Sequence, residues 1–246
     1  MTVAIVAPMW GRHKLTLLAQ RQWARAIEET RADAVRVLVG SEGDASRAIA
    51  EQAGAEYVEC ANVLSDKLNA GVMHVAGMRV DAVIITGSDD LCSTLALAKL
   101  LEVEAKEATL VGYLDFFRYF DAEPSLLYWP GYPTDRRLET VGVGRLYSRQ
   151  LLNRLDWAPW EPGLPRNCDG SATARTWPHL DRYVGLRMGW ADAITGVHYR
   201  TLTNWSPEIR SQCTARPIAW LRSVYPAVAD ELLSGGWREA EPPPRV

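Results

Sequence analysis

The sequence predicts an α/β fold, with a mainly parallel sheet flanked by helices and a loop-rich second half. Three observations carry that expectation. Apolar runs rich in β-branched residues alternate with stretches of helical period through the first hundred residues. The links between them are short, as in strand–helix–strand crossovers. Near residue 109 the alternation breaks, and proline, glycine and tryptophan crowd into the second half of the chain.

TVAIVAP (2–8) reads as the first strand, and KLTLLAQRQWARAIEET (14–30) as a helix with Leu15, Leu18, Ala19, Trp23, Ala26 and Ile27 at helical spacing. AVRVLVGSEG (34–43) is the second strand, broken by Gly40 and Gly43. DASRAIAEQAG (44–54) is a helix, AEYVEC (55–60) a short strand and SDKLNAGVMHVAG (65–77) another helix. DAVIITG (81–87) is the fourth strand, and STLALAKLLEV (93–103) the helix after it. Beyond these, TLVGYLDFFRYFD (109–121) and SLLYWPGY (125–132) read as two strands joined by a turn around Pro124. VGVGRLYSRQLLNRLDW (141–157) reads as a glycine-rich loop leading into a helix. Eight of the ten tryptophans follow residue 128; they either pack a loop-rich lobe or, in part, line a pocket for a sugar ring or a base. The terminal EAEPPPRV reads as a flexible proline-rich tail.

Composition narrows the function classes. With 246 residues, 48% of them hydrophobic and 23% charged, the chain is long enough and apolar enough for a sizeable core. A formal net charge of -3 supplies no general attraction to nucleic acid. Cys60, Cys92, Cys168 and Cys213 are widely separated and His13, His74, His179 and His198 are scattered, which argues against a disulfide scaffold or structural zinc. Any metal site would rest on carboxylates and an imidazole at most, a donor set suited to Mg²⁺ or Mn²⁺. The start lacks a secretion signal and no apolar run suffices to span a bilayer, so the expectation is a soluble, cytoplasmic protein with no membrane insertion.

In an open α/β sheet, ligands bind outside the carboxyl ends of the strands. Three of the predicted strands deliver polar or conformationally special residues to that edge: Met9–Arg12 after the first, Ser41–Asp44 after the second and Ser88–Asp90 after the fourth. Asp89 and Asp90 are adjacent like charges at the end of an apolar strand. A divalent cation would make them tolerable; alternatively they form a solvated loop in which one Asp caps the helix starting near Ser93.

The stretches VAIVAPMWGR, VRVLVGSEGD, NVLSDKLNAG (62–71) and IITGSDD, in that order, resemble the glycosyltransferases of the A-type (GT-A) fold, close in style to the large family 2 group of nucleotide-sugar-dependent enzymes. The resemblance covers about residues 2–103 and is looser beyond. It implies a Rossmann-like nucleotide-sugar-binding half at 1–108 and an acceptor-binding half of the same compact domain at 109–238, followed by the tail at 239–246. It also implies roles residue by residue. Pro8, Trp10 and Arg12 fall where the first loop meets nucleobase or phosphate, and Glu42 and Asp44 where base or ribose is held. Lys67 and Asn69 fall where a basic residue and its neighbour approach the nucleotide, and Gly71 where the helix packs closely. Ser88 and Asp89 belong to the donor site, and Asp90 aligns with the metal-coordinating Asp. Ser88 stands in the place of the motif's usual first Asp. The implied cofactor is Mn²⁺ or Mg²⁺, and the implied partner a nucleotide-sugar donor such as a UDP-, GDP- or dTDP-sugar.

An inverting transfer also needs a base for the acceptor hydroxyl. Asp169, in a loop before a helix, occupies the comparable place, with Asp115 in reserve; a helix cap is the other reading of Asp169. The usual Glu-Asp pair is absent, since Cys168 precedes Asp169. His198 in GVHYRTLTNW takes the place of a late metal-binding histidine in many enzymes of this fold. Arg145 and Arg149 are expected either to grip phosphate or acceptor or to be solvated on a helix. The competing functions are a nucleotidyltransferase, which the single glycine of PMWGRHK disfavours, and a non-catalytic nucleotide- or carbohydrate-binding protein. The acceptor stays open: a sugar, a small molecule, or a modified DNA base of the kind a virus-type transferase would use.

Overall fold

The structure is a computed structural model that describes residues 1–103, 107–120, 124–133, 136–166, 168–188 and 210–234, with the backbone alone at 194–198. The tail at 239–246 lies outside the described residues.

The first half alternates as its periodicity dictates: β1 (Thr2–Pro8), α1 (His13–Thr30), β2 (Asp33–Gly40), α2 (Asp44–Ala53), β3 (Glu56–Glu59), α3 (Leu64–His74), β4 (Ala82–Ile85), β5 (Asp90–Cys92) and α4 (Thr94–Glu102). β6 (Thr109–Tyr113), β7 (Phe116–Phe120), β8 (Ser125–Trp129), β9 (Arg145–Ser148), α5 (Arg149–Arg154), α6 (Cys168–Thr176), β10 (Arg182–Leu186), β11 (Ile194–His198) and β12 (Thr214–Arg216) follow. Two short helices, α7 (Ala219–Val224) and α8 (Ala229–Leu233), come last among the described residues.

These strands form a seven-stranded sheet, in the order β10-β6-β9-β4-β1-β2-β3, and a five-stranded sheet, in the order β12-β8-β7-β11-β5. In the larger sheet β1, β2, β3 and β4 run parallel, and β9 enters antiparallel between β4 and β6. Successive side chains of a strand face opposite sides, and both sides are covered. Val3, Ile5 and Ile84 join Trp23 of α1 and Leu97 and Leu100 of α4 in one core, while Ala4, Val6, Val83 and Ile85 join Leu68 and Val72 of α3 and Leu151 of α5 in the other. That double burial is why the strands read as continuous apolar runs. α3 lies unusually close: a Cβ on Gly71 would come 2.4 Å from Val6 Cγ1.

Two segments differ from the sequence expectation. TLVGYLDFFRYFD is two strands in two sheets, because Asp115 turns the chain between them. Its buried carboxylate accepts the Met188 N–H at 2.7 Å and the Tyr128 hydroxyl at 2.7 Å. The loop expected before α5 contains the strand β9, whose short run RLYS is wholly buried between β4 and β6. Pro124 does lie between β7 and β8, which pair antiparallel.

Candidate functional site

The loops after β1, β2 and β4 leave the carboxyl edge together, and side chains tie them to one another. Lys67 of α3 is 2% exposed, and its ammonium donates to Met9 O, Ser41 Oγ and Asn62 Oδ1, each at 2.8 Å. Three donors meet three acceptors, so this lysine locks the loops rather than reaching outward. Burial pulls its pKa down to about 8, with the nearby Glu42 carboxylate working in the opposite direction. Glu42 Oε2 accepts the Gly11 N–H at 3.0 Å and lies 3.0 Å from His13 Nε2, fastening the first loop to the second. Burial works to raise the Glu42 pKa, but these hydrogen bonds outweigh it and hold the carboxyl below its ordinary value. Asn69 clasps the backbone of Trp160 in both directions: Nδ2 donates to the carbonyl at 2.9 Å, and Oδ1 accepts the N–H at 3.2 Å.

The acidic pair sits in a tight turn beyond β4. Asp90 opens β5, and its Oδ2 accepts the Gly87 N–H at 2.5 Å; a Cβ on Gly87 would lie 2.7 Å from that oxygen. Asp90 is 4% exposed and Asp89 7%. Arg12, at the start of α1, meets Asp89 through a contact of 2.6 Å from Nη1 to Oδ2. Burial first, and then Asp89, push the Asp90 carboxyl up to about 7. The helix-cap alternative for the pair is taken by another residue: Ser93 Oγ accepts the Ala96 N–H at 3.0 Å and caps α4 itself.

The second half reaches the same edge through β9. Because β9 runs antiparallel to β4, its start, Arg145, pairs with Ile85 at the carboxyl end of that strand, and the Gly144 N–H reaches Ile85 O at 2.8 Å. Asp169, in the first turn of α6, lies against the preceding loop: a Cβ on Gly142 would come 2.1 Å from Asp169 Oδ1. Tyr132 donates its hydroxyl to Asp169 Oδ2 at 3.4 Å, and burial together with Asp169 pushes this phenol up to about 12. Arg145 is buried and donates to Val141 O, Thr140 O and Asp169 O, so it splints this corner instead of facing a ligand. Arg149 likewise caps carbonyls of Ala76, Met78 and Val80.

The structure therefore brings Arg12, Glu42, Ser88, Asp89, Asp90 and the Asp169 corner to one edge of the large sheet. Pro8 ends β1, and half-buried Trp10 follows in the first loop. Asp44 is exposed in the first turn of α2. Lys67 and Asn69 face inward as braces, and Asp115 is occupied by Tyr128 and Met188. His198 ends β11, whose Gly196 is in register with Asp90; the strand continues past Asp90 toward the side from which the chain enters β5. Of the late tryptophans, Trp129, Trp157 and Trp160 are buried in the cores, while Trp177 is 60% exposed.

One charged residue escaped the sequence reading. Arg118 of β7 is partly buried, in register with Gly196 of β11, which is in turn in register with Asp90. Burial lowers the Arg118 pKa to about 10, and Asp89 and Asp90 counter it. The signal was there in FFRYF, a lone cation at the centre of an aromatic run.

A hard cation is commonly held by one or two carboxylates plus substrate phosphates and waters. Asp89 and Asp90 supply carboxylates, and the adjacent Ser88 hydroxyl, fully buried, has no hydrogen-bond partner among the described residues. Among the described residues no group of three or more His, Cys, Asp and Glu side chains is arranged to hold a metal by itself. The donor set thus fits an ion that shares its ligands with a bound diphosphate, and does not fit a self-sufficient metal centre.

No protein-family model matches the sequence, and a search of curated proteins finds no match. Solved structures do match. S. aureus TarS 1-349 in complex with UDP-GlcNAc superposes with a TM-score of 0.60 at 13% identity, covering 95% of this chain and 70% of that one. The fold is that of the GT-A glycosyltransferases. A second example of the GT-A fold, the mannosyltransferase PcManGT from Pyrobaculum calidifontis in complex with GDP-Man and Mn²⁺, matches with a TM-score of 0.56 at 14% identity over 82% of this chain and 58% of its own. Glucosyl-3-phosphoglycerate synthase of M. tuberculosis matches with a TM-score of 0.53 at 15% identity over 95% and 80%. Another TarS 1-349 structure is covered over 60% of its length, so this chain spans a little over half of some of these GT-A proteins. Among the described residues, no helix is long and apolar enough to cross a membrane.

Proposed function

We propose that the protein is a glycosyltransferase that moves a sugar from a nucleotide-diphosphate-sugar donor to an acceptor hydroxyl. The observation that carries this reading is the meeting of Arg12, Asp89, Asp90 and the Asp169 corner at one carboxyl edge of a GT-A fold. The edge built from 1–108 would receive the nucleotide, with Pro8, Trp10, Glu42 and Asp44 toward base and ribose. Residues from 109 onward would complete the acceptor side.

Asp90, with Asp89 and Ser88, would hold Mn²⁺ or Mg²⁺, and His198 is a further candidate ligand. Such an ion, when bound, stabilises the negative charge that develops on the departing diphosphate. Arg12 stands beside the acidic pair as a cation able to approach phosphate. Lys67 and Asn69 act by holding the loops in place. In an inverting transfer the acceptor oxygen bonds to the anomeric carbon as the bond from that carbon to the diphosphate oxygen breaks. Asp169 takes the acceptor proton, and Tyr132 and Gly142 keep its carboxylate aimed.

Solved structures of the same fold in complex with UDP-GlcNAc and GDP-Man make UDP- and GDP-sugars the first donors to try. The test is a panel of UDP-, GDP- and dTDP-sugars with Mn²⁺, read by thermal stabilisation and slow donor hydrolysis. Stabilisation by at least one donor that is lost in Asp90→Asn is expected. A chain indifferent to every donor, with and without metal, would sink the reading.

A further inference from the structure

The acidic pair already has its counter-charges within the protein. Arg12 holds Asp89 at 2.6 Å from one side. From the other side, Asp90, Gly196 and Arg118 stand in register on β5, β11 and β7. Residues in register on neighbouring strands share a face, and strands lie about 4.8 Å apart. The middle position is a glycine, which puts no side chain of its own between the long guanidinium of Arg118 and the carboxylate of Asp90. Phe116 carries the Arg118 side chain, with the guanidinium carbon 5.1 Å from the ring centroid.

With both acids ionised, these two carboxylates and two guanidiniums carry no net charge among themselves. A divalent ion entering alone would add two positive charges that these four groups do not offset, in a poorly solvated corner, which is costly. An ion that arrives with a diphosphate brings its own compensation. Among the described residues the acidic pair is joined by no third His, Cys, Asp or Glu, a donor set that leaves coordination positions for a diphosphate or water.

We infer that Arg118 is the resident counter-charge of the Asp89–Asp90 pair, and that it makes divalent-cation binding depend on a nucleotide diphosphate arriving with the ion. The inference rests on the glycosyltransferase reading for the identity of that anion. It makes Arg118 a positioning residue, acting through Asp90 and Asp89 on the order in which ligands enter.

The experiment is a Mn²⁺ titration of the full chain, following the electron paramagnetic resonance signal of the free ion, with and without UDP and corrected for Mn²⁺ held by UDP alone. Wild type is expected to bind Mn²⁺ at least tenfold more tightly with UDP than without it. Arg118→Met should bind Mn²⁺ without nucleotide at least tenfold more tightly than wild type, and Arg118→Lys, which keeps the charge, should behave as wild type. Arg118→Gln serves the same purpose if the Met variant does not fold, as judged by circular dichroism. Equal Mn²⁺ affinity of wild type with and without UDP, or unchanged nucleotide-free affinity on removing the Arg118 charge, overturns the inference. If no nucleotide binds at all, the glycosyltransferase reading falls, while the nucleotide-free comparison of wild type with Arg118→Met still decides whether Arg118 is the counter-charge.

Discussion

The carboxylate of Asp169 rests on the backbone of Gly142, so close that a Cβ at that position would lie 2.1 Å from Oδ1 and 2.8 Å from the carboxyl carbon. One residue from the loop before β9 thereby sets where the candidate base of α6 can point. Gly142→Ala should displace the carboxylate with little change elsewhere, at an overpacking cost of about 1–3 kcal/mol. Turnover is expected to fall at least tenfold while donor affinity is retained. Measuring kcat and donor binding side by side checks this; full turnover would show that the Asp169 carboxylate does not depend on the glycine.

Lys67 has a different kind of influence. Lys67→Met removes three hydrogen bonds at once and leaves Met9 O, Ser41 Oγ and Asn62 Oδ1 to find other partners. Each buried group left unsatisfied costs about 1–3 kcal/mol, so the melting temperature should drop by several degrees. Donor affinity should weaken as the loops after β1 and β2 lose their common anchor. A thermal melt and a donor titration test the two effects separately, and unchanged values in both would contradict the brace.

Asp90 links stability to pH. Burial and Asp89 raise its carboxyl to about 7, so the folded chain keeps a proton there that the unfolded chain releases near its ordinary value of about 4. Between those values the folded state binds more protons, and stability falls as pH rises through the window. The contribution is fully present below the unfolded value and is lost by about pH 7, each pH unit between the two values being worth about 1.4 kcal/mol. Asp90→Asn should flatten this slope and melt above wild type at pH 8. Melting curves from pH 4 to 8 decide it: a slope as steep in the variant as in wild type would point to another group.

Asn69→Ala should release the loop that carries Trp160. Two hydrogen bonds to one residue's backbone disappear, for an expected loss of about 1–3 kcal/mol. Because Trp160 also packs edge-on against Tyr147 with centroids 5.7 Å apart, the near-ultraviolet circular dichroism should change along with the melting temperature. A variant with the wild-type aromatic spectrum would show that the ring contact alone holds the loop.

Much of the fold was legible because the relevant signals are local. The apolar run of β1 and the helical spacing from Leu15 to Ile27 need no knowledge of the partner to be read, whereas the close helix packing at Gly71 was implied only by the family resemblance. Short strands were harder. RLYS of β9 is too brief for periodicity to register, and the break at Leu114 and Asp115 shows only when the Met188 N–H and the Tyr128 hydroxyl arrive to satisfy the carboxylate. At the candidate site the acids were visible as residues, and their surroundings were not. Lys67 carries the same charge on paper whether it grips a phosphate or three loop acceptors, and only the positions of Met9, Ser41 and Asn62 distinguish the two.

From its sequence alone the chain declares an alternating α/β layer, three polar loops at one strand edge and the Ser88–Asp89–Asp90 turn. Composition and period are properties of neighbouring residues, so they survive without coordinates. Folding determines which groups face one another: Arg12 and Asp89 in contact, Arg118 in register with Asp90 across Gly196, and Asp169 against the backbone of Gly142. Those pairings depend on strand register and on burial, and both arise only when distant segments pack, where a slip of one residue would turn every side chain of a strand to the opposite face.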